Sequence, residues 1–148
     1  MFGVSLGAIA GAALLGWPRR SLTVVGLGVA CIVWLVVLGV LGAPGPGSAA
    51  AHAIAGALLG WALADGILRA PGVRAEARRV LMAAVLATLV VGAIWELWEW
   101  ATDELTGTNL SGGISDTIVD LIADGTGALA GAAVAVSLFG VPSTAPRP

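Results

Sequence analysis

Long runs of apolar residues, separated by short polar segments, divide the chain into five predicted transmembrane helices. The runs cover residues 1–17, 21–41, 49–68, 80–100 and 114–140. A helix needs about 20 apolar residues to cross a bilayer, and only the first run is shorter than that. Its length leaves open whether it is retained as a helix, cleaved or re-entrant. The pattern predicts an all-α integral membrane protein with one helical domain over residues 1–140 and a disordered, proline-rich tail at 141–148.

The basic residues give the predicted helices an orientation. All seven are arginines, and they fall in the connections after the first and third predicted helices or in the C-terminal tail. Five helices place these three segments on one side of the membrane, and Lys and Arg favour the cytoplasmic side. We therefore expect the N-terminus outside and the C-terminus in the cytoplasm of a bacterial cytoplasmic membrane.

The composition agrees with a multi-pass membrane protein whose first partner is the lipid bilayer. Hydrophobic residues make up 58% of the chain and charged residues 11%, and the mean hydropathy is +0.98. These values exclude an ordinary soluble domain. The sequence has no basic patch of the kind that binds nucleic acid. The single cysteine, Cys31, lies inside an apolar run and is interpreted as a packing residue.

The acidic residues gather at the ends of the predicted helices opposite to the arginines. Seven of them lie between residues 96 and 124: Glu96, Glu99, Asp103, Glu104, Asp116, Asp120 and Asp124. The glutamates at 96 and 99 share one face of the fourth predicted helix, and the aspartates at 116, 120 and 124 form a stripe along the fifth. Neither stripe can face lipid, so we expect the two to face each other, with Glu96 and Asp120 at similar depth. The only histidine, His52, lies one turn into the third predicted helix at the same end.

Some of these acids have structural explanations as well. Asp116 is explained equally well as a capping acid at a helix N-terminus. Asp103 and Glu104 are interpreted as solvated loop charges. Capping and solvation do not explain three carboxylates that lie one to two turns inside an apolar helix, namely Glu96, Asp120 and Asp124.

Carboxylates packed so closely cannot all stay ionised without a cation or shared protons, which predicts an outward-facing acidic pocket between the third, fourth and fifth helices. The candidate catalytic residues are Glu96 and Asp120. The candidate substrate- or cation-binding residues are His52, Glu96, Glu99, Asp116, Asp120 and Asp124, and the candidate metal ligands are Glu96, Glu99, Asp120 and Asp124. Carboxylates with one imidazole suit a divalent metal ion, without selecting among Mg, Ca, Mn, Zn and Fe.

Three functions fit this pattern, and whether the chain is an enzyme stays open. The leading hypothesis is that the pocket binds or processes a lipid-linked or phosphate-bearing component of the cell envelope, with a divalent cation bridging to phosphate. The alternatives are a proton- or cation-coupled transporter and a non-catalytic helper subunit of a membrane complex. Glycines at four-residue spacing in the first and third predicted helices, including Gly56 and Gly60, are candidate faces for a homo-oligomer or another partner. Further glycines, including Gly127 and Gly131, predict a helix-packing strip on the fifth.

Short motifs in the C-terminal third resemble a known family. They are Trp95-Glu96-Leu97-Trp98-Glu99-Trp100, Ser115-Asp116-Thr117-Ile118-Val119-Asp120-Leu121 and Gly127-Ala128-Leu129-Ala130-Gly131. Over about residues 93–131 the chain resembles VanZ-like membrane proteins, and more closely the related YjdF-type family of small bacterial membrane proteins. The resemblance implies a polytopic bacterial membrane protein without a settled biochemical activity. VanZ-like proteins carry Glu-x-x-Gln and a basic residue in the following loop; here Glu99 replaces the glutamine and the basic residue is absent, so the site is more acidic.

Overall fold

Three helices make up the part of the chain that the computed structural model describes, which is residues 46–70, 72 and 76–139. They are α1 (Pro46–Arg69), α2 (Ala77–Thr106) and α3 (Ile114–Phe139). All three are long and apolar enough to cross a membrane. The predicted helices at 1–17 and 21–41 and the tail at 141–148 lie outside the described residues. The five-helix count and the orientation therefore stay predictions.

The first described helix, α1, starts earlier than its apolar run suggests. It begins at Pro46, inside the segment 42–48 that the sequence predicts as a loop. Proline is well tolerated in the first turn of a helix, because its missing N–H would have no partner there. Pro46 thus marks the start of a helix.

The second described helix, α2, continues past its apolar run to Thr106, so the predicted polar loop at 101–113 is wrong in its first six residues. The Thr102 and Thr106 hydroxyls donate to carbonyl oxygens one turn earlier in the helix. The helix ends at Gly107, whose φ of 68° is the left-handed conformation typical of a glycine C-cap. Polar residues after an apolar run predict a loop in a membrane protein. A helix that extends beyond the hydrocarbon core needs no apolar side chains there, so α2 can continue through this polar segment.

Backbone contact between α1 and α3 holds the bundle together. At two glycines on each helix, a side chain would collide with the backbone of the other helix. These glycines are Gly56 and Gly60 on α1 and Gly127 and Gly131 on α3. Gly56 contacts Asp124 and Gly60 contacts Ala128, so the two helices run parallel. The predicted close-packing role of these glycines is confirmed.

This contact corrects one predicted partner surface. The face of Gly56 and Gly60 was a candidate for contact with a second copy or another protein, but α3 of the same chain covers it. Small residues at four-residue spacing predict a close helix neighbour without saying which chain supplies it. The glycines of the first predicted helix lie outside the described residues.

The helix α2 runs antiparallel to the other two and buries a stripe of every fourth residue. The stripe is Val80, Ala84, Thr88, Gly92 and Glu96. Its beginning packs in an apolar cluster with Ala64, Ala132 and Ala135, and its end reaches the start of α1 and α3. We call the end of the bundle formed by the starts of α1 and α3 and the end of α2 the acidic end.

Ion pairs occupy the opposite end of the bundle. Arg69 pairs with Asp65 one turn earlier on α1, and its guanidinium lies 4.4 Å from the ring centroid of Phe139 on α3. The exposed pair Arg79 and Glu76 lies 3.5 Å apart at the start of α2. The contact between Arg69 and Phe139 joins α1 to α3 at the end away from the acidic cluster.

Asp103 fixes the loop between α2 and α3. Its carboxylate accepts hydrogen bonds from the Thr108 hydroxyl at 2.8 Å and from the backbone N–H groups of Leu110 at 2.7 Å and Ser111 at 2.9 Å. Asp103 is partly exposed, as expected of a solvated charge, but its carboxylate also holds the loop through these hydrogen bonds. Its neighbour Glu104 is exposed, as expected.

Replacing Asp103 with alanine is expected to release this loop. The Leu110 and Ser111 amides lose their acceptor, so their hydrogen exchange should accelerate on the order of tenfold, as local opening becomes easier. Hydrogen-exchange mass spectrometry of the loop peptide measures this directly. Glu104→Ala is the matched control and should leave the exchange rate unchanged; equal rates in the two variants would contradict the bracing role.

Candidate functional site

Four titratable side chains from three helices meet at the acidic end. His52 comes from α1, Glu96 from α2, and Asp120 and Asp124 from α3. The Nε2 atom of His52 lies 3.6 Å from Asp120 Oδ2 and 3.9 Å from Glu96 Oε1. The other ring nitrogen, Nδ1, lies 3.2 Å from Asp124 Oδ2. We call these four residues the buried cluster, and its geometry agrees with the expectation that the two acidic stripes face each other.

The carboxylates of the buried cluster are removed from solvent and short of donors. Relative exposure is 4% for Glu96, 2% for Asp120 and 5% for Asp124. Both oxygens of Glu96, the Oδ1 atom of Asp120 and the Oδ2 atom of Asp124 accept no hydrogen bond from the described residues. A buried acceptor without a partner costs about 1–3 kcal/mol, and more when it is charged. The cluster is therefore an unfavourable arrangement for packing alone and a favourable one for a cation.

The parallel register of α1 and α3 builds the cluster in two levels. Ser48 donates its hydroxyl to Asp120 Oδ2 at 2.8 Å, and one turn further along both helices His52 meets Asp124. Sequence reasoning did not identify Ser48. Its signal is the four-residue spacing from His52, which places both side chains on the same face of α1.

Glycines make space for the Asp124 side chain and backbone. A methyl group on Gly92 of α2 would collide with Asp124 Oδ2, and one on Gly56 of α1 would collide with the Asp124 backbone. The carboxylate is thus held between the two neighbouring helices. The sequence pattern identifies Gly56 but not Gly92. Only its contact with Asp124 distinguishes Gly92 from other glycines in apolar runs.

Two of the predicted site residues lie near the cluster but outside it. Glu99 lies one turn closer to the end of α2, where its Oε1 accepts a hydrogen bond from Trp95 Nε1 at 2.8 Å. Asp116 lies half-exposed in the first turn of α3, beside Gly112. Of the predicted ligands Glu96, Glu99, Asp120 and Asp124, the structure brings Glu96 and Asp120 together with His52. The ligand set itself stays a prediction.

The spacing of these three side chains suits a small metal ion. One ligand atom from each of His52, Glu96 and Asp120 lies within 4.8 Å of the other two. Ligand atoms about 2.1 Å from a tetrahedral zinc ion lie about 3.4 Å from one another. The distances from Nε2, 3.6 and 3.9 Å, are close to that value, and the Glu96 and Asp120 oxygens lie within 4.8 Å of each other.

A pocket adjoins the cluster between α1 and α2. Its volume is about 130 Å³, well above the roughly 10–15 Å³ that one water requires by the same kind of measure. His52, Glu99 and Asp124 line it towards the acidic end, and Leu59 and Val91 line its deeper part. It combines polar groups at one end with an apolar wall at the other.

Comparison with known proteins identifies the region that contains this site. A family model described as Predicted membrane protein (DUF2238) matches residues 48–140, which is more than half of the chain. The matched region holds all four residues of the buried cluster. No curated protein and no solved structure gives a significant match to the chain. The match confirms a membrane-protein family, while the VanZ-like or YjdF-type naming stays a prediction.

Proposed function

The chain belongs to the DUF2238 family of predicted membrane proteins, and from that premise we propose that it binds a divalent cation in the buried cluster. Through this cation it binds the phosphate of a lipid-linked component of the cell envelope. The observation that carries the proposal is the pair Glu96 and Asp120, whose three unpartnered, buried oxygens lie beside the imidazole of His52.

Electrostatics supports a bound cation. Two unit charges about 4 Å apart interact by about 4 kcal/mol at an effective dielectric constant of ~20. Three ionised carboxylates around one protonated imidazole would still carry a net negative charge, which a cation or shared protons must balance. The nearest described arginines belong to the opposite end of the bundle, on α1 and at the start of α2. A divalent ion would neutralise this charge and supply the missing partners of Glu96 and Asp120.

The ligand types favour an ion that binds imidazole. Ca²⁺ takes six to eight oxygen ligands and Mg²⁺ usually keeps several waters, whereas zinc and related ions bind imidazole with carboxylates. Three protein ligands and an open fourth position are typical of catalytic zinc sites. His52, Glu96 and Asp120 would supply the three ligands here. The sequence leaves the ion open among five metals, and the geometry favours zinc-like ions.

The pocket suggests how a lipid ligand would use the ion. A metal ion with an open position can bind and polarise a phosphoryl oxygen. His52 and Asp124 connect the cluster to the pocket, and the deeper wall at Leu59 and Val91 is apolar. A ligand with a phosphate at one end and a hydrocarbon chain at the other matches this division.

The buried residues between the cluster and Asp65 favour binding over transport. In the described helices they are small or apolar apart from Thr88, whose hydroxyl donates to the Ala84 carbonyl oxygen. A proton- or cation-coupled transporter requires polar groups along a path to the second side of the membrane. Apart from Asp65 and Thr88, the buried polar side chains of the described residues lie at the acidic end instead.

Retention of a phosphate-bearing lipid should depend on the metal. With zinc present, we expect the purified protein to retain phosphatidic acid in native mass spectrometry at least about tenfold better than after chelation, because the phosphate loses its bridging ion. Asp120→Asn should remove the zinc-dependent fraction.

Two ligands serve as controls for this experiment. Diacylglycerol with the same acyl chains should show no zinc dependence, and competition by inorganic phosphate reports whether the phosphate alone is recognised. Equal retention of phosphatidic acid with zinc and after chelation would contradict the proposed function.

A further inference from the structure

The two ring nitrogens of His52 face different partners. Nδ1 lies 3.2 Å from Asp124 Oδ2, while Nε2 lies 3.6 Å from Asp120 and 3.9 Å from Glu96. We infer that Asp124 is a positioning residue rather than a metal ligand: its carboxylate accepts the Nδ1 proton and leaves the Nε2 lone pair for the cation. This inference rests on the proposed cation site and assigns the roles of its two aspartates.

The chemistry of imidazole makes this division necessary. A neutral imidazole has one N–H and one lone pair, and a metal ion binds only through the lone pair. A proton on Nε2 would prevent His52 from joining Glu96 and Asp120 as a ligand. An acceptor beside Nδ1 selects the opposite tautomer. Asp124 Oδ2 lies 3.2 Å from Nδ1 and is a buried oxygen that no other described residue donates to.

The surroundings of Asp124 keep its carboxylate in this position. Its side chain is buried, and Gly92 leaves a space that Oδ2 fills. The Asp124 backbone touches Gly56, which lies one turn after His52 on α1. The backbone contact between α1 and α3 therefore positions both His52 and Asp124.

Asp120 and Asp124 differ in the atoms that they face, although they are four residues apart on one helix. Asp120 accepts a hydrogen bond from the Ser48 hydroxyl and faces Nε2 of His52. Asp124 faces Nδ1. A carboxylate that holds the second nitrogen of a ligating histidine fixes the ring orientation, and its loss typically weakens metal binding about 10–100-fold. Loss of a direct ligand such as Asp120 is expected to weaken binding further.

The single histidine of the chain allows a direct test. Protein labelled with ¹⁵N-histidine, without a polyhistidine tag, shows one pair of imidazole nitrogen signals. At a pH high enough for a neutral ring and without metal, we expect the Nδ1–H tautomer in the unaltered protein. Asp124→Ala should convert it to a mixture or to the Nε2–H form. Asp124→Asn replaces the carboxylate with an amide that can also donate to Nδ1, so it should weaken the preference for the Nδ1–H tautomer as well.

The matched control is Glu104→Gln, because Glu104 is an exposed carboxylate on the same helix as Glu96, α2, outside the cluster and the pocket. It should leave the imidazole signals unchanged. The same tautomer in the unaltered protein and in Asp124→Ala would overturn the positioning role. Circular dichroism of each variant confirms that the helices are intact before the comparison.

Zinc titrations complete the test. We expect Asp124→Ala to raise the zinc Kd about 10–100-fold and to leave Mg²⁺ binding nearly unchanged, because Mg²⁺ has little affinity for imidazole. A loss as large as that of Asp120→Ala would make Asp124 a ligand and overturn the inference.

The tautomer measurement needs no metal, so the two proposals can fail separately. If the unaltered protein binds no zinc, the proposed function fails. The ¹⁵N signals then still decide the role of Asp124: an Nδ1–H tautomer that Asp124→Ala removes supports positioning, and an unchanged tautomer overturns it.

Discussion

Replacing Glu96 with leucine is expected to stabilise the metal-free protein while removing its cation binding. Both Glu96 oxygens are buried and accept no hydrogen bond from the described residues, so an apolar side chain of similar size avoids their desolvation. The expected gain is about 1–3 kcal/mol in the free energy of unfolding. The zinc Kd should rise by more than the 10–100-fold typical of a supporting residue, because a direct ligand is lost.

Thermal unfolding in detergent with a chelator measures the first effect, and zinc titration measures the second. Glu99→Leu is the matched control, since Glu99 lies one turn away and already accepts a hydrogen bond from Trp95. It should bring no gain in stability and should keep zinc affinity within a few-fold. A Glu96→Leu variant that is less stable without metal would favour a purely structural role, as in a helper subunit.

Replacing Gly131 with alanine is expected to weaken the contact between α1 and α3. The added methyl group would collide with the carbonyl group of Ala57, and the backbone can give way only if the helices separate. Overpacking of this kind typically costs about 1–3 kcal/mol. Separation of the helices would also move His52 away from Asp124, so zinc affinity should fall together with stability.

Gly125→Ala is the matched control on the same helix. Its methyl group would meet only the side chain of Leu89, at 3.3 Å, which can adjust. Alanine is favoured over glycine in a helix by about 0.8–1.0 kcal/mol, so this variant should be as stable as the unaltered protein or slightly more so. Equal unfolding temperatures for the Gly125 and Gly131 variants would contradict the backbone contact.

Much of this arrangement can be predicted from the sequence, because helical periodicity determines which residues share a face. The apolar runs indicate the three described helices, and the spacing of Asp120 and Asp124 and the position of Glu96 predict two facing acidic stripes. His52 follows from the same argument, since it lies one turn into its helix at the same end. These predictions need only the helical repeat and the cost of exposing charge to lipid.

The sequence does not show which helix or residue each of these groups contacts. The spacing of Gly56 and Gly60 predicts a close helix neighbour, but only the fold shows that α3 of the same chain supplies it. The roles of Ser48 and Gly92 are visible only from the atoms on α3 that they contact, which belong to Asp120 and Asp124. Asp103 resembles any loop acid until the backbone N–H groups of Leu110 and Ser111 are placed around it.

The two aspartates of the cluster show the same limit at atomic scale. Asp120 and Asp124 are equivalent in the sequence pattern, one turn apart on one stripe. Their difference depends on which nitrogen of His52 each one faces, and that is decided by the register of α1 against α3. A pattern along one helix carries no information on that register.

The metal content of the purified protein tests the central claim most directly. Protein prepared without chelators and without a polyhistidine tag is incubated with zinc, desalted and analysed by inductively coupled plasma mass spectrometry, beside the Asp120→Ala variant. The account predicts about one divalent ion per chain in the unaltered protein and almost none in the variant. A helical, correctly folded protein that retains no divalent ion, or a variant that retains as much as the unaltered protein, would contradict it.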